Sequence, residues 1–268
     1  MGTIVRTTIR RILTAAFIAF SFATMLAGCI TSGGSVFTAD ASPEAALRTR
    51  VQLARSYIGE QNWEDAKRNL AIARDIDPDN PEVAEAFALV YQSTGEYELA
   101  EEDFKRAIAG KKEFSRARNN YAAFLYSQAR YQEAEDQLEV VIKDTLYESR
   151  PQAFINLGLC RVRLDKPDEA REAFVRALTM DRGNRIALLE LANIEYEAGN
   201  WRLAERYMDN FKGISRSMPP RALWLGVRIY HELDDQDAQA SFGLALRNLY
   251  PTSAEFQAYE QAVQNGEL

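Results

Sequence analysis

Residues 47–80 read LRTRVQLARSYIGEQNWEDAKRNLAIARDIDPDN, and the spacing of this stretch recurs along most of the chain. An alanine occupies its twentieth position, and alanine returns every 34 residues, with a single interval of 36. These alanines are Ala66, Ala100, Ala134, Ala170, Ala204 and Ala238. A fixed period of this length indicates stacked helix-turn-helix units, each with an apolar face that only its neighbours can cover.

A second small residue lies twelve positions before each alanine: Ala54, Ala88, Ala122, Gly158, Ala192 and Gly226. Two helices that cross closely need small residues where their backbones meet. A large apolar residue precedes each of them: Leu53, Phe87, Tyr121, Leu157, Leu191 and Leu225. The second helix carries Leu70, Phe104, Leu138, Phe174, Met208 and Phe242 four residues after its alanine, on the same face. We predict that these side chains form the core.

The pattern resembles the tetratricopeptide repeat family, whose consensus is a large apolar residue, Gly or Ala, Tyr, Ala, an aromatic residue, Ala and Pro. Residues 47–80 match it with Leu53, Ala54, Tyr57, Ala66, Leu70, Ala73 and Pro78. The resemblance implies an all-α fold, a right-handed superhelix (α-solenoid) of six repeats. Their ranges are 47–80, 81–114, 115–148, 151–184, 185–218 and 219–252. Residues 253–268, with Phe256, Tyr259 and Val263 on one helical face, are expected to form a C-terminal capping helix.

Some positions depart from the consensus. Arg161 and Glu195 replace its tyrosine, and Val141 and Phe211 replace its third small residue, so repeats three to five are expected to be less regular. Turns between paired helices are marked by glycines suited to left-handed caps and by Asp165-Lys166-Pro167. The glycines are Gly59, Gly95 and Gly199.

The first 28 residues have the character of a signal peptide. Arg6, Arg10 and Arg11 precede a continuous apolar run, 12–25, which is too short to span a bilayer of about 30 Å. Leu26-Ala27-Gly28-Cys29 then resembles the bacterial lipobox, which implies a lipid on Cys29 after cleavage. Residues 29–46 are expected to form a flexible tether. Ile30, where an aspartate would favour inner-membrane retention, implies delivery to the outer membrane. An ordinary signal peptide with an incidental cysteine is the alternative.

Composition argues against several functions. Loss of residues 1–28 removes three arginines and no acid, which takes the formal charge from -7 to -10 and argues against nucleic acid as a partner. Charged residues such as Glu101, Glu102 and Asp103 are expected on the wet face of the second helix. Cys160 is expected to be buried and inert, and His231 has no companion at metal-ligand spacing. We expect no cofactor, no metal and no enzymatic activity.

What remains is the face of the first helix that lines the concave surface of tetratricopeptide superhelices. Positions 5, 9 and 12 of each repeat share this face, and they are mostly apolar, which suits an extended or helical peptide. We predict a partner-binding groove formed by Val51, Arg55, Ile58, Leu89, Asn119, Tyr126, Ile155, Leu159, Leu189, Asn193 and Tyr196. The paired Lys and Asn that would clamp a terminal carboxylate are not assembled. Part of this stripe could instead be buried by superhelical curvature or by the C-terminal segment.

A lipobox, a tether and six repeats together resemble the PilF/PilW family of type IV pilus biogenesis lipoproteins, called pilotins. The stretch Arg118 to Leu125 (RNNYAAFL) and the stretch Gln152 to Gly158 (QAFINLG) bring the resemblance closest. It implies a monomer, anchored to the outer membrane through Cys29, that binds the pilus secretin subunit and promotes its multimerisation. A scaffold for cell-wall enzymes or for barrel-protein assembly would share the same features and stays open, as does an enzyme with an unrecognised site.

Overall fold

The structure is a computed structural model that describes residues 42–268. The predicted signal peptide, Cys29 and most of the predicted tether lie outside the described residues. The chain divides into two compact units, Met1–Arg48 and Thr49–Leu268. Residues 42–48 of the first unit are described, and residues 43–48 are the start of a helix. Ser42 caps its first turn, because the Ser42 Oγ accepts from the Ala45 amide at 3.3 Å. Helix thus begins at Pro43, inside the range predicted for the tether, because proline is well suited to the first turn of a helix.

The described residues form thirteen helices and no strand. They are α1 (Pro43–Gly59), α2 (Trp63–Ile76), α3 (Pro81–Thr94), α4 (Tyr97–Gly110), α5 (Ser115–Ser127), α6 (Tyr131–Val141), α7 (Arg150–Arg163), α8 (Pro167–Met180), α9 (Arg185–Glu197), α10 (Trp201–Ile214), α11 (Pro220–Glu232), α12 (Gln236–Leu249) and α13 (Ala254–Asn265). The first twelve form six consecutive pairs, as in a tetratricopeptide solenoid. We call the first helix of each pair helix A and the second helix B.

Each pair closes over small residues, as predicted. Five of the six helix-B alanines are completely buried, and they are Ala66, Ala100, Ala134, Ala170 and Ala204. The sixth, Ala238, is half-buried. At Gly158, an added Cβ would lie 2.6 Å from the Phe174 ring, so the ring occupies the space that the glycine leaves. The same holds for Gly226 and Phe242, at 2.3 Å. The backbones of these pairs therefore approach as closely as the spacing pattern requires.

The prediction that Leu53 is core is wrong, since its side chain is 40% exposed. In later repeats the same position packs on helix B of the preceding repeat. Tyr121, for example, lies 5.5 Å from Phe104, and the Arg74 guanidinium covers Phe87 at 3.8 Å. Within the described residues no helix B precedes α1, so Leu53 lacks that cover.

Ion pairs join neighbouring repeats where the consensus has tyrosine. Arg161 Nε donates to Glu135 of the preceding helix B at 2.9 Å, and Glu195 accepts from Arg171 Nε of its preceding helix B at 2.7 Å. Both carboxylates are buried. The polar substitutions therefore keep the contact between repeats, and the helices around them remain continuous.

The prediction that the charged run on α4 lies on the wet face is only partly correct. Glu102 is exposed, but Asp103 is only 3% exposed and accepts from Arg74 Nη2 of the preceding repeat at 2.7 Å. Glu101 accepts from Arg130 of the following repeat. Each of these two carboxylates has a guanidinium partner on an adjacent repeat, and this pairing offsets the cost of withdrawing the charge from solvent.

The turns between paired helices share one conformation. A residue with positive φ stands at the fifteenth position of the first five repeats, and it is Gln61, Gly95, Ala129, Asp165 and Gly199. Gly95 and Gly199 thus confirm the predicted left-handed caps, and Asp165 confirms the predicted turn. Gly59 does not, because it ends α1 two residues before the left-handed position, which Gln61 occupies. In the sixth repeat the left-handed residue is Asp234, one position later.

The C-terminal helix α13 packs on α11 and α12, as predicted for a cap. Phe256 is buried, and the Tyr259 hydroxyl would lie 2.8 Å from a Cβ added at Gly243 of α12. Val263, predicted to share this contact face, is 48% exposed, and Ala262 is buried instead. The contact face of the helix thus runs through residues 256, 259 and 262, spaced by three.

Candidate functional site: the exposed face of the helix-A row

The predicted groove residues occupy three rows along the helix-A helices, at positions 5, 9 and 12 of each repeat. The position-5 row is buried throughout the six repeats. Its predicted contacts Val51, Asn119, Ile155 and Leu189 are between 0% and 8% exposed. Asn119 Oδ1 accepts from Asn156 Nδ2 of the next helix A at 3.2 Å, so this row lies in the contact between neighbouring A helices. These side chains support the face from beneath.

The other two rows reach solvent in the first five repeats. Predicted groove residues that are half-buried there are Arg55, Ile58, Leu89, Tyr126, Leu159, Asn193 and Tyr196. Gln92 in the same rows is also half-buried, and Ala123 and Val162 are exposed. We call these ten residues the A face. Apolar and aromatic side chains dominate it, with one cation and two amides, as in the central part of many protein interfaces.

Arg55 is committed to an internal ion pair. Its Nη2 donates to Glu85 Oε2, and the Glu85 side chain is completely buried. Asn120 Nδ2 of the third repeat donates to the other carboxylate oxygen at 2.7 Å. Since both oxygens of Glu85 have partners from neighbouring repeats, this network fixes the relative positions of helices α1, α3 and α5 under the A face.

Tyr126 stands at the centre of an aromatic and cationic group. Its hydroxyl accepts from Arg163 Nε of the next helix A at 3.2 Å, and its ring meets the Tyr131 ring edge-on at 5.1 Å between centroids. The Arg163 guanidinium also lies 5.9 Å from the Tyr131 centroid. Hydrogen bonding and stacking therefore hold the Tyr126 ring in place while one side of it stays exposed.

Tyr196 forms a similar group nearer the C-terminal end. The Arg228 guanidinium covers its ring at 4.6 Å, and Arg228 Nη1 lies 3.3 Å from Glu197 Oε1. Partial burial raises the pKa of the Tyr196 hydroxyl, so it stays neutral at physiological pH.

The sixth repeat presents different residues from those its spacing predicts. Leu223, Val227 and Tyr230, read from the 34-residue phase, are all buried. Tyr230 stacks on Phe242 and donates to Asp209 of α10 at 3.0 Å. Helix α11 runs one residue further before its left-handed turn, and the residues that reach solvent on this side lie one position later than in the other repeats.

Residues one position later in α11 face outward instead. Trp224 and Arg228 are half-buried and His231 is exposed, and Arg228 contacts Tyr196 of the A face. Sequence reasoning missed these residues because Ala238 and Gly226 both kept the 34-residue phase. Tyr230 was the signal available in the sequence, because it occupies the consensus tyrosine position when the sixth repeat is counted from residue 220 instead of 219.

In residues 42–268, no three His, Cys, Asp or Glu side chains are grouped so as to hold a metal ion. Cys160 is 1% exposed, as predicted for a buried cysteine, and burial raises the pKa of its thiol to about 12. Over the same range, none of the helices is both long enough and apolar enough for a membrane span.

Comparison with known proteins agrees with this architecture. The tetratricopeptide repeat profile matches residues 85–153 and 155–219. Paired helices, small residues at the crossings and this match together define a tetratricopeptide repeat protein, the class of helical scaffolds that bind other polypeptides.

Relatives narrow the class further. The type IV pilus assembly protein PilF of Pseudomonas aeruginosa is 36% identical over 246 residues, which cover 91% of this chain and 97% of PilF. A solved Pseudomonas aeruginosa PilF structure superposes with a TM-score of 0.77, at 36% identity over 82% of this chain and 98% of that one. PilW, described as a widely conserved type IV pilus biogenesis factor, gives 0.69 at 25% identity, over 80% of this chain and 97% of that one. The chain belongs to this PilF/PilW family of type IV pilus biogenesis proteins.

Proposed function

We propose that this protein is an outer-membrane lipoprotein that binds the secretin subunit of the type IV pilus and promotes its localisation and multimerisation there. The observation that carries the proposal is the A face in a member of the PilF/PilW family. It consists mostly of apolar and aromatic residues that reach solvent, including Leu89, Tyr126, Leu159 and Tyr196. A polypeptide bound along it would cover apolar surface and leave the buried position-5 row undisturbed.

Two aromatic groups would anchor the bound segment. Tyr126 and Tyr196 are each held by an arginine from the next helix A, at 3.2 Å between Arg163 Nε and the Tyr126 hydroxyl and at 4.6 Å between Arg228 and the Tyr196 ring. Rings that are fixed before binding lose little conformational entropy when a partner arrives. Aromatic residues of this kind contribute most of the binding energy at many protein interfaces.

The anchor is proposed from the lipobox at Leu26–Cys29. Acyl chains on Cys29 would hold the protein at the membrane, since each buried methylene contributes about 0.8 kcal/mol and two or more chains bind stably. Secretin subunits captured on such an anchored protein would be concentrated at one membrane. Ring closure would then be favoured by effective concentration, without any chemical step by the protein.

A pulldown from detergent-solubilised envelope tests the proposal, with the wild-type chain as bait. We expect the pilus secretin among the captured proteins, and its recovery should fall when Leu159→Asp changes the centre of the A face. Leu146→Asp is the matched control, because Leu146 is 91% exposed and lies in the loop after α6, away from the A face. Capture of peptidoglycan enzymes without secretin would instead support a cell-wall scaffold and refute the proposal.

A further inference from the structure

A cavity of about 340 Å³ opens beside the A face between the fourth and fifth repeats. Val162 at the end of α7, Pro167 at the start of α8 and Ile194 on α9 supply its apolar lining. Asn193, one of the predicted groove residues, also lines it, so the cavity is continuous with the surface on which the partner would lie. A cavity of this size has room for a long side chain.

The rest of the lining is mainly acidic. Asp165, Asp168 and Glu197 contribute carboxylates, against the single cation Arg171. Arg171 is already paired twice, with Asp168 and with the buried Glu195, so its charge is neutralised locally. Glu197 has a partner in Arg228, whereas among the described residues Asp165 has no ion-pair partner. Together with Glu195 and Arg228, four carboxylates against two cations leave a net negative charge around the cavity.

Helix α9 adds to this negative charge. Its last turn and C-cap, at Glu197 and Ala198, form one wall of the cavity, and that turn contains no basic residue. Backbone carbonyls at a helix C-terminus carry a partial negative charge that attracts cations over the length of one turn. The acids in the first turn of α8, Asp168 and Glu169, offset the positive end of that helix.

We propose that this cavity receives a basic side chain, a lysine or arginine, of the partner segment bound on the A face. Its aliphatic stem would pack on Val162, Pro167 and Ile194, and its charge would lie among Asp165, Asp168 and Glu197. Basic side chains combine an apolar stem with a charged end in this way. The inference rests on the proposed function and adds the charge and the position of one contact: the bound segment has a basic residue where it passes the fourth and fifth repeats.

Two variants of the full-length lipidated protein test the inference, with affinity for the purified secretin subunit measured in detergent. Asp165→Asn with Glu197→Gln removes two charges at nearly constant shape, and asparagine tolerates the left-handed φ of 58° at residue 165. Val162→Lys places a basic side chain of the protein itself in the cavity. The matched control, Glu102→Gln with Glu172→Gln, removes two exposed charges that do not line the cavity.

We expect both cavity variants to weaken secretin binding about tenfold at low salt, with the difference shrinking as salt is raised, and the control to bind like wild type. Unchanged affinity in both cavity variants, while Leu159→Asp still abolishes binding, would overturn the inference and leave the proposed function standing. Failure of the wild-type protein to bind secretin at all would overturn the proposed function, and the inference with it.

Discussion

The Phe174 ring lies directly over Gly158, filling the space in which any other residue would place its Cβ. Gly158→Ala should therefore destabilise the protein, because the new methyl group would lie 2.6 Å from the ring and force α7 and α8 apart. We expect a loss of about 1–3 kcal/mol in the free energy of unfolding. Urea denaturation followed by circular dichroism measures it.

Gly213→Ala is the control for that substitution. Gly213 is also helical, but an added Cβ there would meet nothing within 4 Å. Since alanine favours helix over glycine, we expect this variant to be equally stable or up to about 1 kcal/mol more stable. Equal destabilisation by both substitutions would contradict the close approach of α7 and α8.

Ala129→Gly should stabilise the protein. Ala129 holds φ at 58°, a left-handed conformation that Gly95 and Gly199 adopt at the same position of their repeats. The conformation costs an alanine about 1 kcal/mol and a glycine almost nothing. We expect the thermal midpoint to rise by about 2–4 °C by scanning calorimetry. A lower midpoint would mean that the turn is not strained at this residue.

The pair formed by Glu101 and Arg130 should make stability depend on pH. Arg130 donates to both Glu101 oxygens, at 2.7 and 3.0 Å, and the Tyr121 hydroxyl donates to one of them at 3.0 Å. Hydrogen bonding by Arg130 lowers the pKa of Glu101 from 4.5 to about 2. A lowered folded-state pKa contributes stability above pH 4.5, and that contribution is lost as pH falls towards 2.

Glu101→Gln should therefore remove part of the acid sensitivity. Between about pH 5 and pH 2 we expect the wild type to lose on the order of 2 kcal/mol more than the variant, given that the carboxylate is partly screened by solvent. Urea titrations at several pH values measure the difference. Glu102→Gln, which changes an exposed neighbour, should follow the wild type, and parallel curves for all three proteins would rule out the linkage.

Cys29→Ala tests the proposed anchor separately from the fold. Cys29 precedes α1, and we expect its replacement to leave the repeats folded, with the same helical circular dichroism and thermal midpoint. The protein should move from the outer-membrane fraction to the soluble periplasmic fraction, because its acyl chains would be lost. Continued fractionation of the variant with the outer membrane would refute anchoring through this residue.

Much of the fold follows from residues that obey one periodic rule. Ala66, Ala100 and Gly158 lie at helix crossings, where only backbone separation decides which residue fits, so their spacing predicts the pairs correctly. Leu53 shows the limit of the rule, because its burial requires a preceding helix that the first repeat lacks among the described residues. Asp103 shows a second limit of the rule. Its burial depends on ion pairs with Arg74, which is distant in the sequence, and with Arg106, one helical turn later.

The A face was harder to predict than the fold. Position within a repeat identifies which side of helix A a residue is on, but burial of the position-5 row depends on how closely neighbouring A helices approach. Asn119 and Ile155 are therefore buried, although they lie on the same side of helix A as Tyr126 and Leu159. In the sixth repeat Arg228 and His231 reach the surface in place of Val227 and Tyr230, and alanine spacing carries no signal for this shift of one residue.

Secretin multimers in the outer membrane give the most direct measurement of the central claim, that the A face holds secretin during assembly. Cells carrying Tyr126→Asp plus Leu159→Asp, with Leu146→Asp as control, would be compared for heat-resistant multimers after confirmation that helical content is unchanged. We predict that multimers disappear in the double variant and persist in the control. Undiminished multimers in a folded double variant would contradict the account.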